Sequence, residues 1–137
     1  MQVKYAGRCL CGAISYECHA EPLFSGNCHC RDCQRTSGGA FAPAMMFPKS
    51  AVQITGTPTY FEARADSGRR IERGFCSTCG SQLFAILEML PGALGVRAGT
   101  LDDASKFRPS MDFWVSSAQH WGAMDPELRK CARAPER

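Results

Sequence analysis

Three thiols lie within the six residues Cys28-His29-Cys30-Arg31-Asp32-Cys33, closer together than the packing of an apolar core requires. A metal accounts for that density, because bound Zn²⁺ strips the thiol proton and holds the thiolate. Three thiolates from one short loop fill three corners of a tetrahedron. The fourth stays open to water or a substrate, which separates a working zinc site from a sealed one. Whether that corner is open depends on the other cysteines.

There are nine cysteines among 137 residues. The segment Met1-Gln2-Val3-Lys4-Tyr5 has no apolar run of the signal-peptide kind and no window approaches a membrane span, so a cytoplasmic, reducing setting is expected. There, clustered cysteines hold metal or do chemistry more often than they pair, and an odd count excludes a complete disulfide set. Cys9-Leu10-Cys11-Gly12 and Cys76-Ser77-Thr78-Cys79-Gly80 read as two arms of one site. In each, glycine follows the second cysteine, where a tight turn at positive φ lets backbone amides face the sulfurs. Together they supply four thiolates, a closed structural site stapling the start of the chain to its middle.

Other partitions stay open. Cys18 or His29 could be a fourth ligand to the triplet, and one cysteine pair could be redox-active. Strand geometry points His29 away from its neighbours Cys28 and Cys30, and the phase of Cys18 suits a small buried hydrophobe. Cys131 reads as a free thiol, and His19 and His120 as surface residues.

The rest of the chain has the period of strands. Ile14, Tyr16 and Cys18 share a face, as do Val52 and Ile54, Ile71, Arg73 and Phe75, Leu94, Val96 and Ala98, and Met111, Phe113 and Val115. Ala42–Phe47 and Pro58–Phe61 are further strands, and residues 83–87 suit a strand covered on both sides. Helical turns are expected over Arg31–Ser37, Ser116–Gly122 and Asp125–Lys130, the last with Asp125 as cap and Pro126 behind it. The expectation is an all-β or β-rich single zinc-containing domain of short antiparallel strands with a few helical turns. It spans residues 1–131 and is followed by a short frayed tail, 132–137. A net charge of +3 is too mild for a dedicated nucleic-acid binder.

The motifs Cys9 to Gly12, Cys28 to Cys33 and Phe75 to Gly80, in that order, resemble the glutathione-dependent formaldehyde-activating enzyme family, whose domain a vertebrate centromere protein also carries. Gly38, the Phe41 region, Gly99-Thr100-Leu101-Asp102 and Trp121 are similar too. The resemblance implies two zinc ions per chain, one structural on Cys9, Cys11, Cys76 and Cys79, and one catalytic on Cys28, Cys30 and Cys33. It also implies addition of a thiol such as glutathione to formaldehyde, giving an S-hydroxymethyl adduct, the work of a carbon–sulfur lyase.

In that chemistry the incoming thiol is deprotonated at the metal and attacks a small aldehyde. Arg31, Arg35, Arg64, Arg69, Arg70 and Arg73 are candidates to hold the carboxylates of glutathione, and Asp32 to steady a ligand. Two rivals stand beside this reading. One is a non-catalytic zinc-binding module that touches nucleic acid or protein through Arg69, Arg70 and Arg73. The other is a thiol-redox enzyme using a bare cysteine such as Cys131. No oligomeric state follows from the sequence.

Overall fold

The computed structural model describes residues 2–65 and 67–135. Eleven strands and one α-helix are present among them: β1 Tyr5–Arg8, β2 Ser15–Cys18, β3 Phe24–Cys28, α1 Arg31–Ser37, β4 Ala42–Pro48, β5 Val52–Thr55, β6 Thr59–Arg64, β7 Arg70–Phe75, β8 Gln82–Leu87, β9 Ala93–Arg97, β10 Met111–Phe113 and β11 Arg129–Cys131. The β-rich fold expected from the alternating pattern is the one observed. Every strand anticipated from that pattern forms, and α1 occupies the residues expected for it.

The strands make two sheets, a three-stranded one in the order β1-β2-β5 and an eight-stranded one in the order β11-β10-β3-β4-β9-β8-β7-β6. Apolar faces of the two meet in the main core. Tyr16 and Cys18 from the small sheet, with Ile14 just before β2, pack with Phe47, Phe84, Leu94 and Val96 from the large one. Tyr16 meets Phe84 edge to face at 5.5 Å, and its hydroxyl shares a 2.6 Å hydrogen bond with Thr100. Gly7 opposes Tyr16 in the ladder, where any Cβ would overlap the phenol ring. Glycine is therefore required there for the tyrosine to lie flat on β1.

Most pairings are antiparallel, but β10 runs parallel to both β3 and β11. Parallel neighbours need a crossover between them, and residues 114–128 serve as that crossover. This overturns two helical expectations. Ser116–Gly122 contains only the end of a 3₁₀ turn, Val115–Ser117, and Asp125–Lys130 is a turn running into β11. Asp125 does accept a hydrogen bond from the Glu127 amide at 2.9 Å, as a cap would. Pairing of Arg129–Cys131 with Met111–Phe113 then draws the chain into the sheet, a tertiary override of a local signal.

Val115 also leaves the strand pattern, because Trp114 adopts left-handed φ of 59° and turns the chain. The chain is docked rather than frayed as far as Arg133. The amides of Trp114 and Ser116 donate to the carbonyls of Arg133 and Ala132 at 2.9 and 3.2 Å. The rest of the expected tail, residues 136 and 137, lies outside the described residues.

Candidate functional site

The two cysteine arms meet. Cys9 and Cys11 follow β1, Cys76 and Cys79 follow β7, and all four sulfurs lie within 4.8 Å of one another. Gly12 and Gly80 stand at φ of 83° and 80°, the turns that bring the second sulfur of each arm round. The Ile14 amide points at the Cys9 sulfur at 3.3 Å, and the Leu10 amide ties one arm to Ser81 of the other at 3.0 Å. Cys9–Cys11 and Cys11–Cys76 sulfur separations are both 3.7 Å. A tetrahedron of sulfurs each about 2.3 Å from a zinc ion has edges of about 3.8 Å, so this donor set fits such an ion. A hydrogen bond from Ser81 first of all holds the Cys79 thiol down to about 5.

The triplet is built differently. Cys28 ends β3 and Cys30 caps α1, its sulfur accepting the Cys33 amide at 3.3 Å, so Cys33 is brought back in the first helical turn. The three sulfurs lie within 4.8 Å of one another, and this cluster too could hold a metal. Hydrogen bonding among the thiols drives their acidities apart. Cys30 and Cys33 push the Cys28 thiol up, whereas Cys28 and Cys30, with smaller help from Arg97 and Arg73, push Cys33 far down. A bound cation would favour the thiolate form of all three.

The triplet opens into a cavity of about 850 Å³ whose floor is one face of the large sheet. Cys28, Ala44, Arg97, Gly95, Ala85 and Arg73 belong to that face on five successive strands. Small residues at 44, 85 and 95 keep the floor low; a Cβ on Gly95 would press the Met46 sulfur at 3.0 Å. Phe113, Trp114, Leu87 and Leu90 build apolar walls. Among the described residues, none of Cys9, Cys11, Cys76 and Cys79 reaches this cavity.

Behind the triplet, His29 is fully buried on the opposite face of its strand and is not one of the clustered ligands. Its Nε2 lies 2.9 Å from Asp112, which also receives Asn27 at 3.2 Å and pairs with Lys130 at 3.0 Å. Burial alone would raise the Asp112 carboxyl, but hydrogen bonds from His29, Lys130 and Asn27 outweigh it and hold the group below the usual carboxylate range. An ionised Asp112 accepts, so His29 Nε2 carries the proton. Gln34 completes the support, donating to the carbonyls of His29 at 2.7 Å and Ser117 at 3.0 Å. These contacts fix the loop from the side away from the cavity.

Of the six arginines anticipated for carboxylates, Arg31, Arg69 and Arg73 line the cavity. Arg64 instead donates to the Gly68 carbonyl, Arg70 pairs with Glu62 at 3.5 Å, and Arg35 is exposed on α1. Asp32 is at the cavity wall. Arg73 is only 5% exposed, and its Nε has no hydrogen-bond partner among the described residues. Because Arg73 turns inward, Arg69, Arg70 and Arg73 do not form the shared basic surface that a binding module needs.

Cys131 is buried in β11, and Cys18 lies in the core with its thiol pushed up to about 12 by burial, so neither offers an accessible redox thiol. His120 is exposed and His19 half-buried. Sequence reasoning missed Arg97, Trp114, Gln34 and Asp112. A polar residue at the end of β9 or between Met111 and Phe113 reads as solvent-facing, so no local signal marked Arg97 or Asp112.

Over residues 4–117 the chain matches the family described as glutathione-dependent formaldehyde-activating enzyme. A crystal structure of a Rhodobacter sphaeroides protein shares the fold, with a TM-score of 0.57 and 24% identity over 72% of this chain and 88% of that one. No helix among the described residues is long and apolar enough to cross a membrane. With most of its length matched and its cysteine motifs gathered into two clusters, this chain belongs to the glutathione-dependent formaldehyde-activating enzyme family.

Proposed function

We propose that the chain is a cytoplasmic, zinc-dependent enzyme of the carbon–sulfur lyase type that adds a small aldehyde to a thiol such as glutathione, or removes it. In this reading Cys9, Cys11, Cys76 and Cys79 hold a structural zinc, and Cys28, Cys30 and Cys33 a catalytic one, two per chain. Residues 1–131 form the working domain. The observation that carries the reading is that the triplet, and not the four-cysteine cluster, lines the cavity.

Zinc bound at the triplet would supply a lowered thiol pKa, keeping the incoming sulfur anionic near neutral pH. The chain's own residues do the rest. Arg73 and Arg97 lie close enough to Cys33 to stabilise its charge, and so offset the added anion. Arg31 and Arg69 line the same cavity and are placed to take carboxylates. The thiolate sulfur attacks the carbonyl carbon, a C–S bond forms, and the carbonyl oxygen takes the electron pair and then a proton from solvent. Reversal breaks that bond and returns aldehyde and thiol. Guanidinium N–H groups at 73 and 97 are donors for the transient oxyanion. Apolar walls limit water around it.

The test is consumption of glutathione and formaldehyde with and without the purified protein. Acceleration that Cys33→Ala abolishes in a folded protein is expected. No acceleration by the metal-loaded wild type, with glutathione and with other small thiols, overturns the reading.

A further inference from the structure

Gln34 is only 5% exposed, yet every hydrogen-bonding position of its side-chain amide is filled. Its Nε2 donates to the carbonyls of His29 at 2.7 Å and Ser117 at 3.0 Å. Its Oε1 accepts from Nη1 of Arg31, and from Nε2 of Gln119 at 3.1 Å. Two carbonyls need donors and a guanidinium needs an acceptor, so only one orientation of the amide satisfies all four. Arg31 stands three residues before Gln34 in α1, on the same helical face. Among the described residues Gln34 does not line the cavity, whereas Arg31 and Ser117 do.

An exposed arginine is ordinarily mobile, and it loses rotamer freedom when it grips a ligand. Arg31 is exposed, but its guanidinium is tied from behind. The tie is a neutral amide, and Arg31 takes part in none of the ion pairs among the described residues. Its charge is held in place without being cancelled. We propose that Gln34 is a positioning residue for Arg31, presenting its guanidinium as a preset anchor for a carboxylate of the thiol substrate. This rests on the thiol–aldehyde reading above and names the group that selects an anionic thiol over a neutral one. Gln34 does not meet the substrate and acts through Arg31.

S-methylglutathione keeps both carboxylates but has its thiol blocked, so affinity is read apart from turnover. Its diethyl ester removes the two charges. Calorimetric titration of the zinc-loaded protein should show the diacid binding about tenfold more tightly than the ester. Arg31→Met should abolish that preference. Gln34→Met, checked for folding by circular dichroism, should weaken the diacid about threefold to tenfold and leave the ester unchanged. In the Arg31→Met background it should add nothing. A loss shared equally by diacid and ester, or an undiminished further loss in the double variant, makes Gln34 merely structural and overturns the inference. Should Gln34→Met fail to fold, arginine side-chain NMR of the wild type decides. A held guanidinium gives separate Nη signals for Arg31, assigned by their absence from Arg31→Met, and averaged signals overturn the inference. Turnover of thiol and formaldehyde with no preference for the diacid over the ester overturns this inference alone. No turnover with any thiol overturns the reading it rests on as well.

Discussion

The two cysteine clusters use one kind of donor at similar spacing, yet they differ in where the chain supplies it. In the four-cysteine cluster, two arms join loops 65 residues apart at Cys11 and Cys76. Their sulfurs surround one point, and none of them meets the cavity among the described residues. In the triplet, all three donors come from one strand end and one helical turn, and all three line the cavity beside guanidinium groups. Sequence separation makes the first cluster a staple. On the proposed reading, local supply makes the second dispensable to the fold. On that reading, topology and surroundings separate a structural from a chemical cysteine cluster, since the ligand type is the same.

The largest expected effect breaks the staple. Structural zinc is worth about 10–16 kcal/mol in apparent binding free energy, comparable with the whole stability of a domain, about 5–15 kcal/mol. Cys76→Ser should therefore leave a chain without a cooperative melt, as seen by circular dichroism and calorimetry. Cys33→Ala should keep the fold and lose one metal, with thiol consumption falling to the uncatalysed rate. Equal destabilisation by the two substitutions would erase the distinction between the clusters.

The next effect probes what holds the triplet loop. Asp112→Ala leaves His29 and Lys130 without their buried partner, at an expected cost of about 3 kcal/mol, read from denaturant melts. The pH dependence has a definite sign. The folded chain holds the Asp112 carboxyl below its ordinary value, about 3.9, so the unfolded chain takes up the proton first. Its stabilisation is fully present above about pH 5 and is lost as pH falls through that ordinary value towards the lower folded one. Asp112→Asn should remove this part of the acid limb. An unchanged acid limb would mean that the carboxylate is not ionised in the folded chain.

The smallest effect sharpens the contrast from the cavity side. Arg73 buries an unsatisfied donor, so Arg73→Met should raise stability by about 1 kcal/mol while weakening binding of anionic thiols. The same change made at a surface arginine such as Arg35 should do neither. Loss of stability in Arg73→Met would show that its guanidinium has a structural partner.

The clusters were legible in the sequence because spacing within Cys-x-Cys and Cys-x-x-Cys pairs constrains local geometry directly. Strands were legible wherever one face is core, as in Tyr16 and Cys18 against exposed Glu17. Asp112 was not, because a polar residue between Met111 and Phe113 reads as solvent-facing. It is buried among His29, Asn27 and Lys130, partners that come from elsewhere in the chain. Arg97 and Arg73 come to the same floor only through the strand order β9-β8-β7, which no local signal encodes. The parallel entry of β11 was hidden for a related reason: Asp125 and Pro126 carry the local chemistry of a helix start, and pairing with β10 overrides it.

Metal stoichiometry followed through a chelator titration, with circular dichroism recorded at each step, tests the division of labour most directly. Two zinc ions per chain are expected, the first removed without change in the strand signal and the second only as the fold is lost. Cys33→Ala should begin at one zinc and show only the second step. A single zinc in the wild type, or loss of both together with unfolding, would contradict the account.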